Sequence, residues 1–410
     1  MVQLEPAKSL AGRVLAEVAN DVYENAIKAK ERGEKVGWIS SNFPQEIPTT
    51  LGIPCVYPES QAAAISAKGA GQEMCEHAEG ELGFSSDICA YSRISMAYAD
   101  LAKCPNGERE IPLPDFVLCC NNICDCMLKW YENLGKMLDI PVIVIDVPFN
   151  NKYDVDRKRI DYIGAQFRDA IVQLEEITGK KWDEEKFEEV CRISGRIGEE
   201  WLKATKYLNY KPAPYKGFDL FNHMAVATMA RGQQRSLDAF IEFNKECEQF
   251  IREHKSTFKG EEKHRVMFEG IACWPYLRVT FSTMKDLGIN VTSCVYGPSF
   301  AFQYSNFDEL MEAYASVPNS INLERSTELR ERLCLEGKVD GGLVHINRSC
   351  KMWSSTMPEM ARRISNDLNI PVVTFDGDQS DPRNFSEEQY VTRVQGLAEI
   401  MEANAKKGEQ

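Results

Sequence analysis

The sequence predicts an α/β protein made of two doubly wound parallel-sheet domains in tandem, with a helical segment between them. Three observations lead there. Short apolar runs alternate with helical patterns near both ends of the 410-residue chain, and several of those runs are apolar on both faces. A strand-loop-helix-strand block also occurs twice. Composition permits this architecture: 43% hydrophobic and 27% charged residues are those of a packed globular protein, and the length exceeds what one core usually fills.

The first strands are expected at 36–40, 53–57, 116–120 and 141–146. PVIVID, in the last of these, has no polar face, which suits a parallel strand covered by helices on both sides. From 159 to about 253 the pattern is helical. Ile160, Ile163, Phe167, Ala170, Ile171 and Leu174 keep a helical period, and Pro212 and Pro214 interrupt it once. A second strand set follows at 266–270, 291–296, 342–346 and 371–375. The expected division is 1–155, a first α/β domain with N-terminal helices; 156–258, a helical linker; and 259–410, a second α/β domain.

The repeat is the strongest local signal. PDFVLCCNNICDCMLKWYENLGKMLDIPVIVIDVP and VDGGLVHINRSCKMWSSTMPEMARRISNDLNIPVVTFDGD both run strand, Asn-x-x-Cys, helix, Leu-Asp/Asn-Ile-Pro-Val, strand, Asp. Asn121 stands to Cys124 as Asn347 stands to Cys350. In open parallel sheets functional groups collect at the carboxyl ends of strands, beside helix N-termini that favour thiolates. Two domains facing one another would therefore bring Cys124 and Cys350 to a common cleft.

A net charge of −14 and a pI near 5.1, with no clustered basic face, argue against a nucleic-acid partner. No run approaches the roughly 20 apolar residues of a membrane span, and MVQLEPAKSLAGRVLAEV lacks a leader's apolar core, so a cytoplasmic protein is expected. Fourteen cysteines in that compartment read as free thiols or metal ligands. Cys119 and Cys120 suit strand-end packing. Cys89, in SDICAYSR, reads equally as a core residue or a third ligand. Three thiolates from dispersed loops suit an iron-sulfur cluster, whereas a structural zinc site would want a second cysteine knuckle. No histidine stands as an evident partner base; His345 lies in a predicted strand. Phosphate-binding loops are absent, so any ATP consumed would be bound by another protein.

VGWISSNFPQE, VYPESQAAA, DICAYSR, DFVLCCNNIC, KWYENL, GFDLFNHMAV, EGIACWPYL, HINRSCK and FDGDQSDPRNF together resemble the 2-hydroxyacyl-CoA dehydratases of the benzoyl-CoA reductase superfamily, along nearly the whole chain. The resemblance is to the α subunits acting on (R)-2-hydroxyisocaproyl-, phenyllactoyl- and lactoyl-CoA. It implies two flavodoxin-like domains and a 4Fe-4S cluster on three cysteines, with one iron left open; the matching residues are Cys89, Cys124 and Cys350. It also implies Ser41 and Glu59 beside the open iron, with Ser40 as the neighbour of Ser41 in an alternative register. By themselves, the residues around Glu59 favour a solvated loop, and only the resemblance reverses that reading. The implied chemistry removes water from a 2-hydroxyacyl-CoA through a ketyl radical. One electron comes from an ATP-dependent activator protein, and a β subunit completes the enzyme. Alternatives within reach are an aromatic acyl-CoA reductase subunit and a non-catalytic electron-transfer subunit. Asp125 stands where close relatives commonly carry Asn, YPES replaces a frequent YPEN, and Cys126 lies outside the usual ligand set.

Overall fold

The computed structural model describes residues 5–150 and 154–408. Residues 1–4, part of the N-terminal stretch considered above for a leader, lie outside it, as do 151–153 beside the expected boundary at 155. Among the described residues ten strands form three parallel sheets. They are β1 (Glu5–Pro6), β2 (Gly37–Ile39), β3 (Cys55–Val56), β4 (Phe116–Cys120), β5 (Val142–Ile145), β6 (Lys255–Ser256), β7 (His264–Glu269), β8 (Ile289–Ser293), β9 (Gly341–Asn347) and β10 (Val372–Gly377). β1 and β6 pair alone. The other two sheets run β3-β2-β4-β5 and β8-β7-β9-β10. Both place their strands second, first, third, fourth, so the tandem repeat seen in the residues is repeated in topology.

All eight strands expected from apolar runs are present, with shifted ends. Only two residues of 53–57 pair, because Tyr57 already caps the helix Pro58–Ala67 and Pro58 has no N–H to offer a ladder. Every residue of β2, β4, β7 and β8 is buried. β5 is an edge strand, and alternate residues Val142 and Val144 are only half buried despite the uniformly apolar sequence.

The repeated Leu-Asp/Asn-Ile-Pro-Val has a backbone cause. Asp139 and Asn369 end the helices Asp125–Leu138 and Met357–Leu368 in the left-handed region, at φ 52° and 53°. Short polar side chains tolerate that conformation, and the proline two residues on ends the helical pattern.

The middle region forms four helices, Arg157–Thr178, Glu184–Lys206, Asp219–Met229 and Gln234–Arg252. The two prolines fall in the expected break. Asp156 and Asp183 cap the first two helices by accepting from the Arg159 and Lys186 amides. Phe167, Trp201 and Phe240 join Trp38 and Phe43 in one buried cluster, which seats this region against the first sheet. Val266, Phe268, Phe375 and Leu397 form the core of the second. No helix among the described residues is long and apolar enough to cross a membrane.

Candidate active site

The carboxyl ends of the two large sheets open on one cavity of about 180 Å³. The loop after β2 brings Ser41 to it, the helix after β3 brings Glu59, and the loop after β4 brings Cys124. From the second sheet come Ile271, Tyr296, Cys350 and Gln379, following β7, β8, β9 and β10 in turn. Seven of the eight strands of these sheets thus feed the same space, as expected for the switch-point side of parallel sheets. The helix Asp219–Met229 adds Phe221, Met224 and Thr228.

Cys89, Cys124 and Cys350 all line this cavity, and each is the N-cap residue of a helix. The expectation from the repeat, that Cys124 and Cys350 meet in a cleft, holds in the structure. Cys89, left open by its local residues, joins them. Cys119 and Cys120 are fully buried in β4. Among the described residues no three His, Cys, Asp or Glu side chains converge closely enough to hold a single metal ion. Burial raises the Cys350 thiol to about 11 and also raises Cys124.

Cys126 is the fourth thiol on the cavity wall. It is pushed down to about 6 by a hydrogen bond with Cys89, while Cys89 is raised first by the same bond and then by burial. Asp125, between the two cavity thiols, is exposed.

Ser41 and Glu59 form one unit. The Ser41 amide donates to Glu59 Oε2 at 2.9 Å and its hydroxyl donates to Oε1 at 2.8 Å. Burial nevertheless dominates, raising Glu59 to about 7 against the lowering effect of these two bonds. Such a carboxyl can take or release a proton near neutral pH. Ser40 faces the other way. It is fully buried, and its hydroxyl accepts from the Cys120 amide at 3.2 Å, whereas Ser41 lines the cavity.

Residue-by-residue reading missed Gln379. Its side-chain amide donates to Cys89 Sγ at 3.1 Å, and its carbonyl oxygen accepts from Asn347 Nδ2. The only signal was its place in FDGDQSDPRNF. That segment also holds Asp381, whose carboxylate bonds Arg93 of DICAYSR at 2.8 Å with both side chains buried. The Ala90 amide donates to Ser349 Oγ at 3.1 Å, and the Ser349 amide to Asp378 Oδ2 at 3.1 Å. The loop carrying Cys89 is thereby fastened to the two loops that follow β9 and β10. His345 takes no part: it is stacked on Phe375, with Nδ1 2.5 Å from the Ile271 carbonyl.

A wider cavity of about 770 Å³ lies beside it, with Ser60, Ala63, Phe221, Met224, Thr228 and Trp274 lining both. Lys8, Arg13, Lys68, Arg109, Lys216 and Lys259 line it, against only Glu108 and Asp219. A chain of net charge −14 is locally positive here.

Residues 40–401 match the family described as 2-hydroxyglutaryl-CoA dehydratase, D-component. The chain is 55% identical over 399 residues to the (R)-phenyllactyl-CoA dehydratase alpha subunit of Clostridium sporogenes, covering 97% of each. It is 45% identical to the alpha subunit of (R)-2-hydroxyglutaryl-CoA dehydratase from Acidaminococcus fermentans, over 96% of this chain and 98% of that one. With the (R)-2-hydroxyisocaproyl-CoA dehydratase alpha subunit of Clostridioides difficile it shares 45% over 97% and 98%. The chain, with its cysteines drawn to one cavity between two like sheets, belongs to the 2-hydroxyglutaryl-CoA dehydratase D-component family.

Proposed function

We propose that this chain is the catalytic α subunit of an (R)-2-hydroxyacyl-CoA dehydratase, which eliminates water from a 2-hydroxyacyl-CoA to give a 2-enoyl-CoA. One observation carries the reading: three cysteines of separate loops and the Ser41–Glu59 pair line one cavity that shares a wall with a basic one. We read the two sheets as tandem flavodoxin-like domains, 1–155 and 259–410, with 156–258 between them. Their shared strand order supports this.

Cys89, Cys124 and Cys350 would hold a 4Fe-4S cluster with one iron open, supplying low-potential electron transfer and a site for an oxygen ligand. The donor set fits: all three are thiols, and Gln379 aims an N–H at the sulfur of one of them, as outer-shell donors do at cluster sites. Thiols spread around a cavity suit a cluster that brings its own bridging sulfides better than they suit one ion.

The basic channel suits the phosphates of CoA, leaving the thioester and hydroxyl carbon to enter the inner cavity. In the proposed reaction one electron, from an ATP-dependent activator protein, adds to the thioester carbonyl. The α-hydroxyl then leaves with its bonding electrons, and the β C–H bond becomes acidic. Once the β-proton is lost the extra electron is returned, so the sum is loss of water. Ser41 orients the leaving hydroxyl by hydrogen bonding, and Glu59, poised near 7, carries the proton. Tyr91, Trp130 and Trp274 give the site aromatic walls. Relatives named as alpha subunits imply a β partner for this chain, and its work lies in the cytoplasm.

The test is anaerobic co-purification with the β subunit, iron and sulfide analysis, and assay with activator, ATP and 2-hydroxyacyl-CoA. Enoyl-CoA formation dependent on activator is expected. Bound cluster with no elimination on any 2-hydroxyacyl thioester would reject the dehydratase in favour of an electron-transfer subunit.

A further inference from the structure

We propose that Asn42 is a substrate-contacting residue whose carboxamide pairs with the α-hydroxy thioester unit, donating an N–H to the thioester oxygen and accepting on Oδ1 a hydrogen bond from the hydroxyl. This rests on the dehydratase reading and adds a residue to its site.

Asn42 follows Ser41 in the chain, lines the same inner cavity and is 6% exposed. Its Oδ1 is buried and has no hydrogen-bond partner among the described residues. An unpaired buried amide oxygen costs about 1–3 kcal/mol, so a group of this kind calls for a ligand to complete it. Two other carboxamides line the cavity, and both are engaged. Gln379 donates to Cys89 Sγ at 3.1 Å and accepts from Asn347, and Asn319 Nδ2 donates to the Ile123 carbonyl at 3.2 Å. The indole N–H groups of Trp130 and Trp353, also on this wall, are unpaired too, but an indole only donates and cannot take up a hydroxyl proton.

The loop that carries Asn42 is held without help from its side chain. The Phe43 amide donates to the Ser40 carbonyl at 3.0 Å, and Gln45 bonds the Thr228 carbonyl while accepting from the Arg231 amide at 3.2 Å. Glu46, fully enclosed, accepts from the Tyr304 and Tyr314 hydroxyls at 2.6 and 2.8 Å and faces Arg231 at 3.7 Å. A carboxamide on so braced a loop is fixed in place yet leaves its own hydrogen bonds for a ligand.

The chemistry needs such a group. The Ser41 hydroxyl donates its one proton to Glu59, and an ionised Glu59 only accepts, so neither offers a donor to the thioester oxygen. That oxygen gains negative charge when an electron adds to the thioester carbonyl. A hydrogen bond from Asn42 strengthens as the charge develops, and therefore favours the step itself more than it favours binding. An α-hydroxy thioester carries its acceptor and its donor on adjoining carbons, and a carboxamide offers the complementary pair from a single carbon.

The experiment uses the holoenzyme with its β subunit. Without activator, so that no electron is delivered, it measures the Kd of (R)-phenyllactoyl-CoA against 3-phenylpropionyl-CoA and of (R)-lactoyl-CoA against propionyl-CoA, pairs that differ only in the hydroxyl. The wild type is expected to favour the hydroxylated member of the tighter-binding pair by about tenfold or more. Asn42→Leu, close in volume, is expected to bring that preference within about threefold and, with activator and ATP at equal iron content, to lower kcat about 10²- to 10³-fold. Asn42→Asp keeps an acceptor and loses the donor, so the hydroxyl preference should persist while kcat falls. Because the oxygen removed has no partner, ligand-free Asn42→Leu should melt at or above the wild-type temperature. No hydroxyl preference in the wild type, or a preference and kcat unchanged in Asn42→Leu, overturns the contact and leaves the dehydratase standing. A lower melting temperature with iron lost in both variants likewise overturns it, by assigning Asn42 to the fold. A preference lost in Asn42→Leu, with no turnover of either 2-hydroxyacyl thioester by the wild type, removes the dehydratase and leaves the contact.

Discussion

The two Asn-x-x-Cys loops begin from the same backbone and end in different work. Both follow the third strand of a sheet, and in both the asparagine reaches sideways to the segment after the fourth strand. In the first loop Asn121 donates to Asp146 and accepts from the Val147 amide at 2.6 Å, so the brace stays within its own half. In the second, Asn347 holds Gln379, whose amide crosses to the sulfur of Cys89 in the other half. The repeated asparagine is therefore a brace in both copies. What it braces differs: one copy steadies a loop, and the other aims a hydrogen bond at a thiol. Duplication thus conveys the position of a cysteine more faithfully than it conveys the groups around it.

The largest expected effect is one the two halves share. Cys124→Ser and Cys350→Ser should each lose most of the bound iron and sulfide, whereas Cys119→Ser, buried in its strand, should keep both. Full iron content in either ligand variant would break the equivalence of the loops.

Next in size is a property of the first half alone. Glu59→Gln should retain the cluster and lose turnover by about 10²- to 10⁴-fold, the usual contribution of a general acid-base group. Burial raises Glu59 to about 7, and it must be ionised to accept a proton. The wild-type kcat/KM should therefore rise with pH through about 7 and level off above it. Persistence of that limb in Glu59→Gln would assign the titration to another group.

The contrast between the braces comes third. Gln379→Leu removes a donor to the Cys89 sulfur, which destabilises the more negative, reduced cluster, so its midpoint potential should move to more negative values. Activity should fall about 10- to 100-fold, as for other outer-shell partners. Asn347→Ala should follow part of the way. Asn121→Ala should leave the potential unchanged and cost about 1 kcal/mol of stability. Equal shifts from the two asparagine variants, in an EPR-monitored titration, would show the braces to be alike after all.

The smallest effect restores the symmetry. Asp139→Ala and Asn369→Ala keep a Cβ in the left-handed region but lose the short polar side chain that tolerates it, and each should cost about 1 kcal/mol. Glycine at either position should be close to neutral in a denaturant titration.

Much of the site could be read before any fold was known, for reasons particular to each residue. Cys124 and Cys350 were legible because the duplicated block gave them an internal comparison. Cys89 has no counterpart in that block, and only the family pattern of DICAYSR marked it. Glu59 looked like a solvated loop residue; its raised pKa comes from burial beneath residues distant in the chain. Gln379 and Asp381 offered no periodicity or spacing, since their partners Cys89 and Arg93 lie 290 and 288 residues away along the chain. The middle segment was read correctly as helical, but its helix Asp219–Met229 also walls the site, which helical period alone does not reveal.

By itself the sequence determined the α/β class, the eight strands of the two sheets and the paired cysteine loops. Each of these rests on local period or on repetition along the chain. Only the tertiary structure decided that three helix-capping thiols, a carboxyl raised to about 7 by burial and several aromatic side chains share one cavity. That outcome depends on two sheets directing their carboxyl ends at the same space, and on contacts such as Arg93 to Asp381 that join residues 288 apart in the chain. Burial and convergence belong to packing between distant segments, which no short stretch of sequence contains.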